Sequence, residues 1–130
     1  MARKRWIEGM KANRGGLYPT EDSVSACFKF GNGLPGSGSW CFVAHESAKE
    51  DRIDIVGDKG SLSFSVFTYQ PIVLQNENGR QEFAVENPPY VQLPLIKLVV
   101  EHLQDKAICT CDCVSATPVN WVVDRILGKL

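Results

Sequence analysis

The 130-residue chain has almost no excess charge: fourteen Lys and Arg face fifteen Asp and Glu, a formal net charge of −1. A general nucleic-acid binder draws most of its affinity from neutralising phosphates, so that class is excluded. The one basic run, Arg3-Lys4-Arg5 with Trp6 behind it, reads as a solvated N-terminus. Long apolar runs are missing too. No membrane-spanning helix is therefore expected, and because no apolar segment follows the basic start, no secretory leader is expected either. The chain reads as cytoplasmic, and five cysteines in a reducing compartment need not form disulfides. At this length one domain with one core should bury roughly two thirds of the unfolded surface without staples or metal.

What is present is alternation. Ile53 and Ile55 alternate with Arg52 and Asp54, and Leu62, Phe64 and Val66 alternate with Ser61, Ser63 and Ser65. Between them Gly57-Asp58-Lys59-Gly60 forms a tight reversal, so Asp51 to Phe67 reads as a β-hairpin with one apolar side. Val24, Ala26, Phe28 and Phe30 make an earlier one-sided strand that ends at Asn32-Gly33. The glycines at 36 and 38 are expected to carry the chain across to a strand near Ser39 to His45. There Trp40, Phe42 and Ala44 would face one way and Cys41 and Val43 the other, a two-sided pattern that suits a central strand. Ile72-Val73-Leu74, the turn Asn76-Glu77-Asn78-Gly79 and the run through Phe83 and Val85 predict a second hairpin. Residues 1–16 carry a weaker pattern and are expected to be an edge strand or a frayed end, leaving 17–130 as a single domain.

Asn87-Pro88-Pro89 stops the strands, because proline donates no ladder hydrogen bond. A helix should begin near Tyr90 to Leu93, with Pro94 in its first turn and Leu95, Leu98, Val99 and Leu103 along its inner stripe. A second should carry Val119, Val122, Val123, Ile126, Leu127 and Leu130, with Thr117 as N-cap and Pro118 at its first position. Strands first and helices last predict an α+β fold: a mostly antiparallel open-faced sheet with C-terminal helices packed on one face.

Several side chains invite a chemical reading. Cys109-x-Cys111-x-Cys113, with Asp112 inside it and His102 nearby, has metal-ligand chemistry, but structural zinc usually takes two separated ligand pairs. An extended structural connector is the favoured reading, and Cys27 and Cys41 read as small hydrophobes within strands. His45 at a strand end could donate to or accept from a polyol, but a solvated loop histidine explains it better. His102 suits a helix C-terminus. The loop Asn13 to Asp22, with Arg14, Tyr18 and Glu21, could line a substrate cleft, although an ordered surface loop is the simpler account.

The pieces together resemble a known family. The run Ile53-x-Ile55-x-Gly57-x-x-Gly60-x-Leu62, the preceding Asn32-Gly33-Leu34-Pro35-Gly36, Pro94-Leu95-Ile96, Ser115-Ala116 and Asn120 to Leu127 are similar, in this order, to the C-terminal domain of the Gfo/Idh/MocA oxidoreductases. The resemblance runs from about Leu17 to the end. It implies an NAD- or NADP-dependent parent enzyme acting on a sugar or cyclitol, whose N-terminal Rossmann domain this chain does not match. The catalytic lysine and Asp-to-His pair of that family also precede the matched stretch. No catalytic, cofactor-binding or metal residue is therefore assigned. Neither Gly31-Asn32-Gly33 nor Gly36-Ser37-Gly38 opens a helix, so no dinucleotide turn is expected here. The resemblance further implies a homodimer or tetramer through an open sheet face, for which Ser23, Ser25, Cys27, Ser61, Ser63, Ser65, Cys41 and Val43 are the expected side chains. The alternative from another class is a free-standing binding or oligomerisation module; a small metal protein built on Cys109 to Cys113 is a third.

Overall fold

The computed structural model describes residues 6–130, so Arg3-Lys4-Arg5 lies outside the described residues. The fold is α+β with antiparallel strands and two late helices, as the order of patterns predicts. The strands form two sheets, and the chain divides into two units: residues up to Glu46 with Thr110–Leu130, and Ser47–Cys109.

The first unit holds β1 (Trp6–Ala12), β2 (Ser23–Lys29) and β3 (Pro35–Cys41), paired in that order. Within the N-terminal segment, β1 pairs along its whole length with β2, from Trp6 opposite Lys29 to Ala12 opposite Ser23. The register puts Ile7, Gly9, Ala26, Phe28, Gly36 and Trp40 on one face and Trp6, Glu8, Met10, Ser25, Cys27, Ser37 and Ser39 on the other.

The third strand corrects the sequence reading. It starts four residues earlier than expected and lies at an edge, and Phe42 and Val43 form a turn instead of a central strand. Gly36 and Gly38 are not a crossing but holes in the strand. A Cβ at Gly36 would sit 2.3 Å from the Phe28 ring, and one at Gly38 2.6 Å from the Trp40 ring. Glycine here makes room for aromatic rings lying on the sheet, and Phe28 meets Phe30 edge to face at 5.3 Å.

The first unit's helix, here α2 (Cys113–Ile126), also starts earlier than expected. Its N-cap is Asp112, not Thr117: the Ser115 N–H donates to Asp112 Oδ1 at 2.8 Å, and the Asp112 N–H donates to Ser115 Oγ at 3.1 Å. This reciprocal capping box nucleates the helix ahead of Pro118, which consequently lies inside it, where its ring nitrogen cannot bond the Val114 carbonyl. Thr117 instead donates its hydroxyl to the Cys113 carbonyl at 2.7 Å. The helix approaches β1 so closely at Gly9 that a Cβ there would lie 2.4 Å from the Ile126 carbonyl oxygen. Ile7, Phe28 and Val122 line a small hollow beside this contact. The helix thus covers the Ile7/Gly9/Phe28 face.

The second unit holds β4 (Ile53–Gly57), β5 (Gly60–Phe64), β6 (Ile72–Asn76) and β7 (Gly79–Phe83), a four-stranded meander, followed by α1 (Leu93–Leu103). Both hairpins turn where expected: Gly57 pairs with Gly60, and Asn76 with Gly79. Gly60, at φ 150°, is fixed by space as well, since a Cβ would meet the Gln75 carbonyl oxygen at 2.3 Å. Ile53, Ile55, Leu62, Phe64, Leu74 and Phe83 share one face, and Ser61, Ser63, Val73 and Gln75 the other. Pro94 sits in the first turn of α1 as expected.

Within each unit the described apolar side chains are only partly covered. Among the described residues Ala26 is the buried apolar side chain, while Ile55 on the four-stranded sheet and Leu103 on α1 are 55% and 77% exposed. A small sheet with one short helix has few faces to bury, so apolar surface remains on each unit for other surfaces to cover.

Candidate functional site

The loop between β1 and β2, which the sequence offered as an ordered surface loop with Arg14, Tyr18 and Glu21 as candidate cleft residues, is densely hydrogen-bonded. Asp22 is fully buried. Its carboxylate accepts the Arg14 N–H at 2.9 Å, the Gly15 N–H at 2.5 Å and the Ser23 hydroxyl at 3.1 Å. A buried charge is tolerable only when hydrogen-bonded in this way. These bonds, Gly15 first and Arg14 next, hold the Asp22 pKa below the usual aspartate value against the opposing effect of burial. The backbone of Asp22 completes the knot, its N–H donating to Ala12 and its carbonyl accepting from Phe42 at 2.8 Å.

Asn13 braces the loop from inside. Its amide donates to the carbonyls of Tyr18 and Thr20, and its Oδ1 accepts the Gly16 N–H at 2.9 Å. Gly16, at φ 65°, supplies the left-handed turn. Glu21 pairs with Lys11 at 2.6 Å, which lowers its pKa. Held by these bonds, the loop presents Leu17, 89% exposed, beside Tyr18. Rigid loops carrying exposed side chains suit recognition.

Below the loop, the face turned away from α2 is a shallow groove floored by Ser25, Cys27, Ser37 and Ser39 and walled by Trp6 and Met10. Ser25 and Ser39 share a hydrogen bond across the strands at 2.9 Å, and Ser23 lies 3.6 Å from the Cys41 sulfur. Ser23, Ser25, Cys27 and Cys41 share this face. Ser61 and Ser63 belong to the other sheet, Ser65 follows the end of β5, and Val43 lies in a turn. Cys27 and Cys41 lie within β2 and β3, as read, and are exposed there.

The remaining candidates do not converge. His45 lies in the loop before a 3₁₀ turn at Glu46–Ala48. His102 stands in the last turn of α1, as expected, where its Nδ1 accepts the Cys109 N–H at 3.3 Å. Cys109 and Cys111 occupy the connector, but Cys113 opens α2. Among the described residues no three His, Cys, Asp or Glu side chains stand close enough to hold a metal ion. Nor is any described helix long and apolar enough to cross a membrane.

No family model matches the chain. It is similar to Oxidoreductase P35 of Formosa agariphila, 33% identical over 110 residues that make up 84% of this chain and 33% of that protein. Its fold is similar to that of a Thermotoga maritima protein assigned to the oxidoreductases, with TM-score 0.74 and 16% identity over 94% of this chain and 37% of the other. It is also similar to biliverdin reductase from Synechocystis, solved with biliverdin and NADP+, with TM-score 0.72 and 15% identity over 98% of this chain and 40% of the other. The chain thus spans a third of the length of the curated relative it matches.

Proposed function

We infer, from the premise that this chain is a relative of Gfo/Idh/MocA-like oxidoreductases, that it is the substrate-side and assembly domain of a nicotinamide-dependent enzyme acting on a sugar or cyclitol. The observation that carries the reading is the partial coverage: an oxidoreductase relative is matched along most of this chain but over only a third of its own length. The cofactor, NAD or NADP, belongs in this reading to a Rossmann domain of the parent, and the 130-residue chain does not transfer hydride by itself. The parent works in the cytoplasm.

Assembly follows from the uncovered groove of the three-stranded sheet. Small side chains on its floor let a second sheet approach to about 10 Å, and the Trp6 and Met10 walls supply apolar contact. A two-fold contact sets the patch against its own copy, giving a homodimer that can pair further into a tetramer. Ser37 lies on this face opposite Cys27 and is exposed. Ser37→Arg places two like charges across the axis, so it should weaken dimerisation at least about tenfold while leaving the far-ultraviolet circular dichroism unchanged. Sedimentation velocity at tens of micromolar measures this, and a monomeric unmodified chain, or a fully dimeric variant, would count against the assembly role.

A further inference from the structure

We propose that the four-stranded sheet carries a binding site of its own, a basin on its Ser63/Val73 face that takes a small, neutral, hydroxyl-rich molecule. The basin is open on one side and offers about 360 Å³, room for a six-membered ring with its hydroxyl groups. Its floor is Ser63 on β5 beside Val73 on β6. Ser65 and Thr68 stand in its wall, and the backbone that carries them is already set. Asp51 Oδ2 accepts the N–H groups of Val66 at 2.9 Å, Phe67 at 2.5 Å and Thr68 at 3.3 Å, and Ser65 donates its hydroxyl to the Thr68 carbonyl at 2.6 Å. A wall fixed before the ligand arrives lowers the ordering cost of binding.

Charge selects the ligand class. The lining holds two cations, Lys49 and Arg52, and two carboxylates, Glu50 and Asp51, which cancel. Arg52 is engaged twice, by Glu50 at 2.9 Å and by Asp54 at 2.8 Å, and Asp51 is engaged by the three N–H groups. An anion such as phosphate finds no net positive field here. An apolar ligand would leave polar groups without partners. The lining offers the hydroxyls of Ser63 and Thr68 and the amide of Gln70, groups that both donate and accept, and a ligand dense in hydroxyls satisfies both roles.

This site needs neither cofactor nor parent enzyme, so it is tested on the 130-residue chain by following backbone amide resonances during titration. The probes are myo-inositol, glucose and, as the anion, inorganic phosphate. Saturable shifts at millimolar inositol or glucose, confined to residues 49–52 and 63–73, are the expected result. Gln70→Ala should weaken binding about tenfold by removing a hydrogen-bonding partner, and Ser63→Leu should abolish it by filling the floor. Gln70 lies outside the strands, so its variant decides the matter should Ser63→Leu lose dispersed resonances. The proposal is overturned by no saturable shift up to about 100 mM of either polyol. It is equally overturned if phosphate saturates the same amides at lower concentration, or if the Gln70 variant binds like the unmodified chain.

Discussion

Asp22→Ala should lower the melting midpoint by roughly 5–10 °C, the range expected when a buried hydrogen-bonded network is lost from a chain of this size. The carboxylate is fully buried and gathers the N–H groups of Arg14 and Gly15 and the Ser23 hydroxyl, all of which lose their acceptor together. Because the backbone of Asp22 also joins Ala12 to Phe42, the loss should loosen the start of β2 as well as the loop. Amide exchange at Arg14 and Gly15 measures this directly, and unchanged protection there would contradict the account. Acid provides a second arm. The pKa of Asp22 is lowered on folding, so its contribution is present in full above the ordinary aspartate value of 3.8 and is lost as pH falls through the folded value. The difference between the unmodified chain and Asp22→Asn should accordingly be largest near neutrality and shrink in acid. Asp112, lowered by its bonds to Ser115, and Glu21, lowered by Lys11, weaken the unmodified chain over the same range.

Gly9→Val should destabilise the first unit by about 1–3 kcal/mol, the usual cost of forcing extra atoms into a filled contact. Its Cβ would fall 2.4 Å from the Ile126 carbonyl oxygen and 2.9 Å from the Ile126 Cα. Both are backbone atoms, so no rotamer change relieves the clash and α2 must move off β1. Denaturant midpoints should drop for Gly9→Val and change little for Gly31→Ala, where an added Cβ meets nothing within 4 Å. Equal midpoints for Gly9→Val and the unmodified chain would show that the helix does not seat on this strand.

Both sites show where the sequence stops being legible. The hairpins could be read because Ile53 and Ile55, Leu62 and Phe64 alternate around paired glycines, a local signal that needs no partner strand. Pro94 was readable for the same reason, since proline tolerates only the first turn of a helix. Glycine misled wherever its role is tertiary. Gly36 and Gly38 look like loop residues until the rings of Phe28 and Trp40 lie on them, and Gly9 looks incidental until Ile126 is beside it. Asp22 named the end of a loop, but its burial depends on β1, β2 and the Phe42 turn meeting around it, which no local pattern encodes. The start of α2 escaped because Asp112-x-x-Ser115 uses a serine where the common capping box has Glu or Gln.

We propose that this chain holds no nucleotide site of its own, and among the described residues the two helix starts supply the physical reason. A pyrophosphate needs a glycine-rich turn opening a helix, with free N–H groups pointing at it. Before α1 stand Gln92 and Leu93-Pro94, and proline donates nothing there. At the start of α2 the Asp112 carboxylate already occupies the Ser115 N–H and repels anions. Isothermal titration calorimetry of NAD+ and NADP+ into the purified 130-residue chain tests the central claim that the cofactor belongs to another domain. No saturable heat up to about 1 mM of either cofactor is the predicted result, whereas binding at micromolar concentration or tighter would contradict it.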